Sequence, residues 1–564
     1  MSVHILPPTT AGIRPEKFSD DLFFARNRKF AAIILAVFIM IGFALRFNNL
    51  GAESLSEDEL NKLQTVEEYR ANGLSGKNGE HPFLMKGLQT LSIITSDKVN
   101  NFVLPPQMRI SDEAALRFPV ALFGTFITLL IFLLVSELFG RSIGLISAAL
   151  WAVEPMAIGF DRIAKEDSLV LFFFLLTNLF WIRGQTAAER GSANWLWHSW
   201  AAAAGFAALI ASKYYPHLLV ITTAYYSAFQ SIPGQKWEMG KLRWLKFLFI
   251  MGVVFLILNP TVLLPDTWHE MLKFSSEGRI GHDSYEFMGQ SYRNQLTLWL
   301  TGVPWTFYYV FIAVKTSLFT LILFLIGLPI MFRRKLGDGR IFLLLWAFFW
   351  FMPFSVIGGK FTRYFALAEP LILITAAFGF YYSVKLISNR FAEKPVLAAV
   401  FQTTLFVVLI AFPLYNSVSA APYFRLFTNS LGSHFAAPGT YFPHDEFYDA
   451  DTRDIVAEIA RRSRAQAVVA CETPTLFEYY ARKMGRDDLV FVSLSDRSKV
   501  VTLASGDFVV EAMGRRYFSN AAYFEYLHGS MTPTAETAIM GITSARIYQL
   551  DTGTIAELQA IAKQ

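Results

Sequence analysis

Long runs of apolar residues alternate with short polar connections over most of this chain. Runs of about 17–20 apolar residues are long enough to cross the hydrocarbon core of a bilayer. The pattern therefore predicts a mainly α fold, a polytopic membrane protein with about eleven transmembrane helices. The predicted spans lie near residues 30–46, 117–136, 142–160, 168–183, 195–212, 214–231, 245–264, 315–332, 341–357, 363–384 and 395–416.

Residues 298–314 leave one alternative open in this count. The segment is uncharged and could be a twelfth span, which would reverse the orientation of every later loop. Its Gly302, Pro304 and cluster of aromatic residues instead favour an interfacial or re-entrant segment. We keep eleven spans.

The polar connection between the first two spans, residues 47–116, is the most acidic part of the chain. The stretch Ser56-Glu57-Asp58-Glu59 predicts the start of a helix that runs to about Arg70, because Ser caps helices and acidic residues favour the first turn. Pro82 suits the first turn of a second interfacial helix.

The C-terminal part has a different pattern. Residues 449–463 read as an amphipathic helix with Asp449 or Asp451 near its N-cap, and residues 465–471 read as a strand. A helix over 473–485 and a second strand over 488–494 complete an alternation that predicts a small α/β domain. The predicted domains are an N-terminal segment (1–29), a transmembrane domain (30–416) and the α/β domain (417–564).

Composition and charge agree with a membrane protein. The 564 residues are 54% hydrophobic and only 17% charged, whereas soluble domains carry about 25% charged residues. The net charge of +5 is modest, and the cations fall in clusters between spans, which favours membrane topology over nucleic-acid binding. The single cysteine, Cys471, excludes an internal disulfide framework.

The positions of these cations predict the orientation. With eleven spans, all the clusters fall on the cytoplasmic side of the inner (plasma) membrane, and the acidic loop and the C-terminal domain lie outside. The clustered residues are Lys17, Arg26, Arg28, Lys29, Arg141, Arg183, Arg190, Lys236, Lys241, Arg243, Lys246, Arg333, Arg334, Lys335, Arg340, Lys385, Arg390 and Lys394.

Asp58 is the candidate general base in the acidic loop. A carboxylate can remove the proton from a hydroxyl acceptor when it is held within hydrogen-bond reach. The alternative is that Asp58 only caps the helix or complements its dipole. The two interpretations are compatible, because a helix N-terminus also holds a carboxylate rigidly.

Further charged residues are predicted on the same outer face. His81 and Lys86 could both face a phosphate, and residues 161–167 join two spans with five charges in seven positions. Basic residues also lie on this face in two short segments, Lys213-Tyr214 and Lys360 with Arg363 and Tyr364. They run against the positive-inside trend, so they indicate either an anionic ligand or membrane anchors. Glu154 lies inside a predicted span, where ionisable groups are costly and usually functional.

Together these residues combine carboxylates, cations and aromatic rings at the bilayer boundary. Carboxylates suit sugar hydroxyls and proton abstraction, and cations suit a phosphate. Since the outside of a cell has no useful pool of nucleotide sugars, we expect a lipid-linked sugar as donor.

The ordered motifs resemble the C-type multi-span glycosyltransferases, in particular the superfamily of protein O-mannosyltransferases and aminoarabinose–lipid A transferases. The similar segments are Asp58-Glu59, His81-Pro82-Phe83-Leu84-Met85-Lys86, Arg117-Phe118-Pro119, Asp167, Gly281-His282 with Tyr285, and Lys360 with Arg363-Tyr364. The resemblance covers about residues 30–416. The second Pro of the family's His-Pro-Pro-Leu-x-Lys pattern is replaced by Phe83.

The resemblance implies transfer of one sugar from a polyprenyl phosphate to a hydroxyl acceptor on protein, lipid A or glycan, with inversion at the anomeric carbon. It implies catalytic roles for Asp58, Glu59 and Asp167. The implied substrate-binding residues are Glu80, His81, Lys86, Arg162, Lys213, Tyr214, His282, Lys360, Arg363 and Tyr364. The resemblance leaves open whether a divalent metal ion is a cofactor. Glu80 and His81 are the candidate ligands, although their spacing is not a recognised metal motif.

Two other functional classes compete with this interpretation. A transporter or lipid flippase would place its ionisable groups at mid-membrane on broken helices, and Glu154 is the main residue in its favour. A non-catalytic receptor would use the α/β domain to bind a partner, but it leaves the acidic loop unexplained.

Overall fold

The computed structural model describes residues 22–228, 237–277, 281–391 and 393–563. Most of the predicted N-terminal segment 1–29, including Lys17, lies outside the described residues, as does Lys236. The side chain of Lys335 is also outside them.

A helix is present at each of the eleven predicted spans within the described residues. The helices of this part of the chain are α1 Phe23–Arg26, α2 Arg28–Phe47, α3 Glu57–Asn72, α4 Phe83–Phe102, α5 Asp112–Phe139, α6 Arg141–Val153, α7 Pro155–Phe160, α8 Asp167–Glu189, α9 Trp195–Ser212, α10 Leu219–Ala228, α11 Lys241–Leu258, α12 Pro265–Glu277, α13 Phe307–Lys315, α14 Leu318–Met331, α15 Gly339–Trp346, α16 Met352–Val356, α17 Glu369–Ser388 and α18 Pro395–Ala420. A hairpin of β1 (Tyr285–Phe287) and β2 (Gln290–Tyr292) precedes α13.

Several of these helices have the length and composition of membrane spans. Among the described residues six qualify: α2, α5, α8, Gly339–Val356, Glu369–Phe391 and α18. Two shorter apolar helices, α6 and α14, lie between them in the sequence. The chain is therefore a multi-pass membrane protein.

Residues 298–314 do not form a spanning helix. The segment before α13 is irregular, and Trp299 bridges to Ile357. The helix α13 has only nine residues, which is about half the length that a bilayer requires. The structure thus agrees with an interfacial segment at this position.

The C-terminal part contains a five-stranded mixed sheet in the order β4-β3-β5-β7-β6. Strands β3 (Val468–Cys471), β4 (Val490–Ser493) and β5 (Phe508–Ala512) are parallel, whereas β6 (Ala535–Ile539) and β7 (Ile542–Gln549) pair antiparallel. The helices of this part are α19 Ser430–Phe435, α20 Pro443–Phe447, α21 Thr452–Arg462, α22 Pro474–Lys483, α23 Arg497–Val500, α24 Ala521–Ser530 and α25 Thr552–Lys563. The strands predicted within 465–471 and 488–494 are present, and α21 has Asp451 as its N-cap.

The sheet domain shares a hydrophobic core with the helices of the first polar loop. Leu60 and Leu63 of α3 and Met85 of α4 belong to the same buried cluster as Ile455 of α21 and Tyr480 of α22. Burial of apolar side chains is the dominant favourable contribution to folding. This shared core therefore fixes the start of α3 against the C-terminal domain.

Candidate active site

The N-terminus of α3 is capped by Ser56 and not by Asp58. The Ser56 hydroxyl accepts a hydrogen bond from the Glu59 backbone N–H, and the Glu59 carboxylate accepts one from the Ser56 N–H. These reciprocal bonds form a capping box. The interpretation of Asp58 as the helix cap is therefore wrong, and its side chain is available for other contacts.

Asp58 is held by three groups through one of its two carboxylate oxygens. Lys165 Nζ lies 2.8 Å from Oδ2, Arg363 Nη2 lies 3.6 Å away, and the Tyr448 hydroxyl donates to Oδ2 at 2.9 Å. Within the described part of the chain no group donates to Oδ1, and 38% of the Asp58 side chain stays accessible.

The electrostatic surroundings keep Asp58 ionised. Burial alone would raise its pKa, but Lys165, and after it Arg363, outweigh this effect and hold the pKa of Asp58 well below its usual range. The Tyr448 hydroxyl bond acts in the same direction. At neutral pH the side chain is therefore an ionised carboxylate.

The junction between α7 and α8 supplies much of this charge. Residues 161–167 are buried throughout, so this charged connection is not a solvated turn. Asp161 pairs with Arg46 at 2.8 Å, Lys165 pairs with Asp58, and Glu166 pairs with Lys62. The fourth pair joins Asp167 and Lys213 at 2.8 Å. The charged residues of the junction thus contact α2, α3 and Lys213 at the end of α9.

Two of the predicted substrate-binding residues, His81 and Lys213, lie beside this junction. His81 Nδ1 is 3.6 Å from Glu166, and burial holds the pKa of His81 well below its usual range, so the ring is neutral. The Lys213 ammonium lies 5.2 Å from the centre of the Tyr364 ring. One oxygen of Glu166 and one of Asp167 are buried with no hydrogen-bond partner among the described residues.

Arg363 joins the two sides of the site. Besides Asp58, its guanidinium approaches Asp445 of α20 at 3.8 Å and lies over the Phe361 ring at 4.2 Å. Its Nη1 is buried and makes no hydrogen bond within the described residues. This buried donor therefore lacks an acceptor oxygen among the described residues.

Three other predicted phosphate or substrate residues bind backbone carbonyl groups. Lys86 donates to the carbonyls of residues 77 and 78, at 3.3 and 2.8 Å. Arg162 donates to the carbonyls at the C-terminus of α2, with a shortest distance of 2.8 Å. Lys360 donates to Val303 at 2.9 Å and to Ile357. These contacts favour structural roles, because each satisfies carbonyls that the ends of helices or loops leave unpaired.

Glu59 is also engaged in structural contacts. Arg117 binds its carboxylate through Nε and Nη2 at 2.8 and 2.7 Å, and the Ala164 N–H donates to Oε1 at 2.8 Å. Only 1% of Glu59 is exposed. The geometry therefore favours a positioning role for Glu59 and leaves Asp58 as the accessible carboxylate of the pair.

Among the residues that the structure describes, Glu80 and His81 do not belong to a cluster of metal ligands. Glu80 accepts a hydrogen bond from Asn78 at 2.6 Å. In the described ranges no group of three or more His, Cys, Asp or Glu residues converges, whereas catalytic metal ions usually have three protein ligands. Tyr214, a further predicted substrate residue, accepts a hydrogen bond from Asn259 at 3.2 Å.

His282 lies at the boundary with the C-terminal domain. Its Nε2 is 3.3 Å from Glu57 and 3.0 Å from Arg515, and its ring stacks on Tyr517 with centroids 4.1 Å apart. Arg515 also binds Asp449, whose carboxylate accepts the Glu57 backbone N–H at 3.1 Å. His282 therefore reaches the start of α3 together with residues of the C-terminal domain.

Sequence reasoning missed several members of this cluster. Lys165 was visible inside a charged junction, so its charge was a usable signal. Tyr448 and Asp445 had no local signal, because an isolated tyrosine or aspartate in an irregular segment is common on any protein surface.

A family model matches part of the chain. The family described as dolichyl-phosphate-mannose-protein mannosyltransferase matches residues 105–263. This match confirms the predicted resemblance to the C-type glycosyltransferase superfamily. The matched range includes Lys165, Glu166, Asp167 and Lys213. No curated protein matches the chain.

Similar solved structures come from three kinds of glycosyltransferase. ArnT from Cupriavidus metallidurans bound to undecaprenyl phosphate is 14% identical with a TM-score of 0.46, covering 94% of this chain and 99% of that chain. The apo Archaeoglobus fulgidus oligosaccharyltransferase is 11% identical with a TM-score of 0.49, covering 86% and 70%. The S. cerevisiae Pmt1–Pmt2 complex bound to the sugar donor is 16% identical with a TM-score of 0.30, covering 44% and 34%.

Proposed function

We propose that this protein is a membrane glycosyltransferase that moves a single sugar, mannose or another hexose or pentose, from a polyprenyl-phosphate donor to a hydroxyl acceptor, with inversion. The reaction takes place at the outer face of the plasma membrane. The family match over residues 105–263 supports glycosyl transfer, and the description of that family supports a lipid-phosphate donor.

One observation carries the proposal. Asp58 Oδ2 accepts a hydrogen bond from Tyr448, pairs with Lys165 and lies 3.6 Å from Arg363, while no hydrogen bond from the described residues reaches Oδ1 and the side chain is accessible. A general base needs an ionised, oriented carboxylate within reach of the acceptor hydroxyl. Asp58 meets the first two conditions before any substrate binds.

The reaction assigns a role to each group. The acceptor oxygen forms a bond to the anomeric carbon of the sugar, and its proton passes to Oδ1 of Asp58. The bond between the anomeric carbon and the phosphate oxygen breaks, and the polyprenyl phosphate leaves with the electron pair. Attack on the face opposite the phosphate inverts the anomeric centre.

The cations around Asp58 suit the departing phosphate. Lys165 and Arg363 lie against Asp58, Lys213 pairs with Asp167, and the Tyr364 ring lies between Lys213 and Arg363. The Nη1 of Arg363 has no hydrogen-bond partner in the described ranges. Hydrogen bonds between cations and phosphate are stronger than neutral ones. We assign the lipid phosphate to Arg363 and Lys165, with Lys213 beside them.

The proposal includes the finer topology. Eleven spans place the first polar loop and the C-terminal α/β domain (417–564) outside the inner membrane, with residues 30–416 as a C-type transmembrane domain. The proposed acceptor is a hydroxyl group on protein, lipid A or glycan. Mass spectrometry of envelope glycans from cells with and without the gene identifies both the sugar and the acceptor.

The transporter or flippase alternative loses its main support. Glu154 is fully buried and accepts hydrogen bonds from the Ser317 N–H at 2.5 Å and from Thr320 at 3.2 Å. These bonds cap the N-terminus of α14, so Glu154 has a structural task. A non-catalytic receptor leaves the arrangement around Asp58 without a purpose.

The Asp58→Asn variant tests the function. We expect turnover of the sugar–lipid donor to fall by about 10²–10⁴-fold, the usual contribution of a general base, while undecaprenyl phosphate still binds. The measurement is release of polyprenyl phosphate by purified protein in detergent, with the donor sugar that the glycan analysis identifies.

Asp112 offers a matched control. It lies in the first turn of α5, its side chain is also 38% exposed, and it contacts Tyr479 and Lys483 as Asp58 contacts Tyr448 and Lys165. Asp112→Asn should keep its activity. Near-wild-type turnover of Asp58→Asn would remove Asp58 as the base and contradict the mechanism.

A further inference from the structure

The C-terminal region contributes an unusual turn to the proposed active site. Tyr448 and Asp449, which follow α20, have φ values of 47° and 61°. Such left-handed conformations are uncommon for residues other than glycine, and two in succession are costly. An unfavourable backbone conformation persists where the surrounding structure enforces it, often at functional sites.

This turn places three side chains against the site. The Tyr448 hydroxyl donates to Asp58, and Asp449 accepts the Glu57 N–H at the first turn of α3. Asp445, three residues before Tyr448, accepts the Thr362 N–H at 2.8 Å and approaches Arg363. Residues 445–449 therefore contact both the predicted base and the predicted phosphate-binding arginine.

A second layer holds the turn itself. Arg515, in the loop after β5, binds Asp449 through Nε at 2.8 Å and through Nη2, and its Nη1 lies 3.1 Å from Glu57. Both Arg515 and Asp449 are buried. Because the guanidinium is planar and binds the carboxylate through two nitrogens, it restricts the orientation of the turn.

We propose that Tyr448 is a positioning residue for Asp58. Its hydroxyl occupies Oδ2 so that Oδ1 is the oxygen that receives the proton of the acceptor. This inference rests on the proposed function of Asp58. It assigns the C-terminal domain a direct part in the reaction, through Arg515, Asp449 and Tyr448.

The chemistry of the phenol suits this task. Tyr448 is a donor only while it is protonated, and burial together with the Asp58 charge raises its pKa well above the usual value. The hydroxyl therefore stays protonated, and its bond to Asp58 is kept, at neutral pH. Together with the Lys165 ammonium at 2.8 Å from the same oxygen, the hydroxyl restricts the rotation of the carboxylate.

The Tyr448→Phe variant removes only this hydroxyl. We expect kcat to fall by about tenfold, the size of one lost hydrogen bond to a charged group, with the KM for the sugar–lipid donor and the affinity for undecaprenyl phosphate unchanged. In the Asp58→Asn background the same substitution should have no further effect on kcat. Tyr479→Phe is the control, since that hydroxyl donates to Asp112 at the same distance of 2.9 Å.

A purely structural tyrosine would behave differently. Removal of its hydroxyl would lower kcat by the same factor in the wild-type protein and in the Asp58→Asn background. That additive result would overturn the proposal. An unchanged kcat in Tyr448→Phe would overturn it as well. Melting temperatures of the two single variants and the double variant give a second test that needs no donor. Additive shifts there would also reject the Tyr448–Asp58 coupling.

These outcomes separate the two proposals. If Asp58→Asn abolishes turnover and Tyr448→Phe leaves it unchanged, the function stands and the positioning role fails. If Asp58→Asn retains turnover, the catalytic assignment fails, and the melting temperatures still show whether Tyr448 and Asp58 are coupled.

Discussion

The lysines and arginines of the outer face differ in what they bind. Lys165 and Arg363 contact carboxylates of the site, whereas Lys86 and Lys360 donate to backbone carbonyls. A lysine that donates to backbone carbonyls supplies hydrogen bonds that a loop or helix end lacks. A cation beside the accessible Asp58 carboxylate is instead in a position to bind an anionic ligand. The same residue type therefore serves structure at one position and ligand binding at another.

Arg363→Ala should weaken the binding of undecaprenyl phosphate. Loss of a charge-assisted hydrogen bond costs about 1.5–3 kcal/mol, or roughly ten- to a hundred-fold in the dissociation constant. Isothermal titration in detergent measures this dissociation constant. Arg461→Ala is the control, because that side chain is 73% exposed in the C-terminal domain. Normal affinity of a folded Arg363→Ala protein would remove Arg363 from the phosphate site.

At the scale of one element, the start of α3 depends on its neighbours. The capping box joins Ser56 and Glu59, and Arg117 of α5 binds both Glu59 and the carbonyls of Leu50, Glu53 and Ser54. One buried arginine thus secures the approach to the helix on which Asp58 lies. This network explains how a carboxylate in a polar loop is held in one orientation.

Glu59→Ala should destabilise the protein strongly, because it leaves the Arg117 guanidinium buried without its partner. Breaking a buried pair in this way costs about 3–5 kcal/mol, whereas Ser56→Ala should cost about 1 kcal/mol as an ordinary cap loss. Thermal unfolding in detergent compares the two variants. A Glu59→Ala protein of normal stability that lacks activity would instead support the catalytic role that the resemblance implies.

At the scale of the whole molecule, the membrane part and the C-terminal domain meet at the site. The shared core of α3, α4, α21 and α22 and the contacts of Tyr448, Asp449 and Arg515 with α3 join the C-terminal domain to the first polar loop. The loop and the C-terminal domain must therefore lie on one side of the membrane. The cationic clusters predict that this side is the outside.

Reporter fusions test this topology. Fusions after Gly234 and Lys335 should report a cytoplasmic location, and a fusion after Gln564 should report an external one, because positive residues are retained in the cytoplasm. Alkaline phosphatase and green fluorescent protein, fused at the same positions, together report whether each position is external or cytoplasmic. An external signal after Lys335 would show that the number of spans before it is wrong.

Much of the fold could be predicted from the sequence because its signals are local. Apolar runs indicated the positions of the helices, and alternation near 465–494 indicated two strands, since periodicity reflects which face of an element is buried. The acidic stretch around Asp58 drew attention to the first loop for the same reason: clustered charge beside a membrane span is visible without any partner.

The roles within the site depend on contacts between distant segments. Asp58 and Glu59 are adjacent and chemically alike, yet Arg117 buries one and leaves the other accessible. Tyr448 reaches Asp58 across 390 positions of the sequence, and no local pattern encodes such a contact. The membrane architecture and the kind of chemistry available follow from the sequence alone, because both depend on composition and period. Which carboxylate is accessible, and which cations face it, follows only from the way in which distant segments pack.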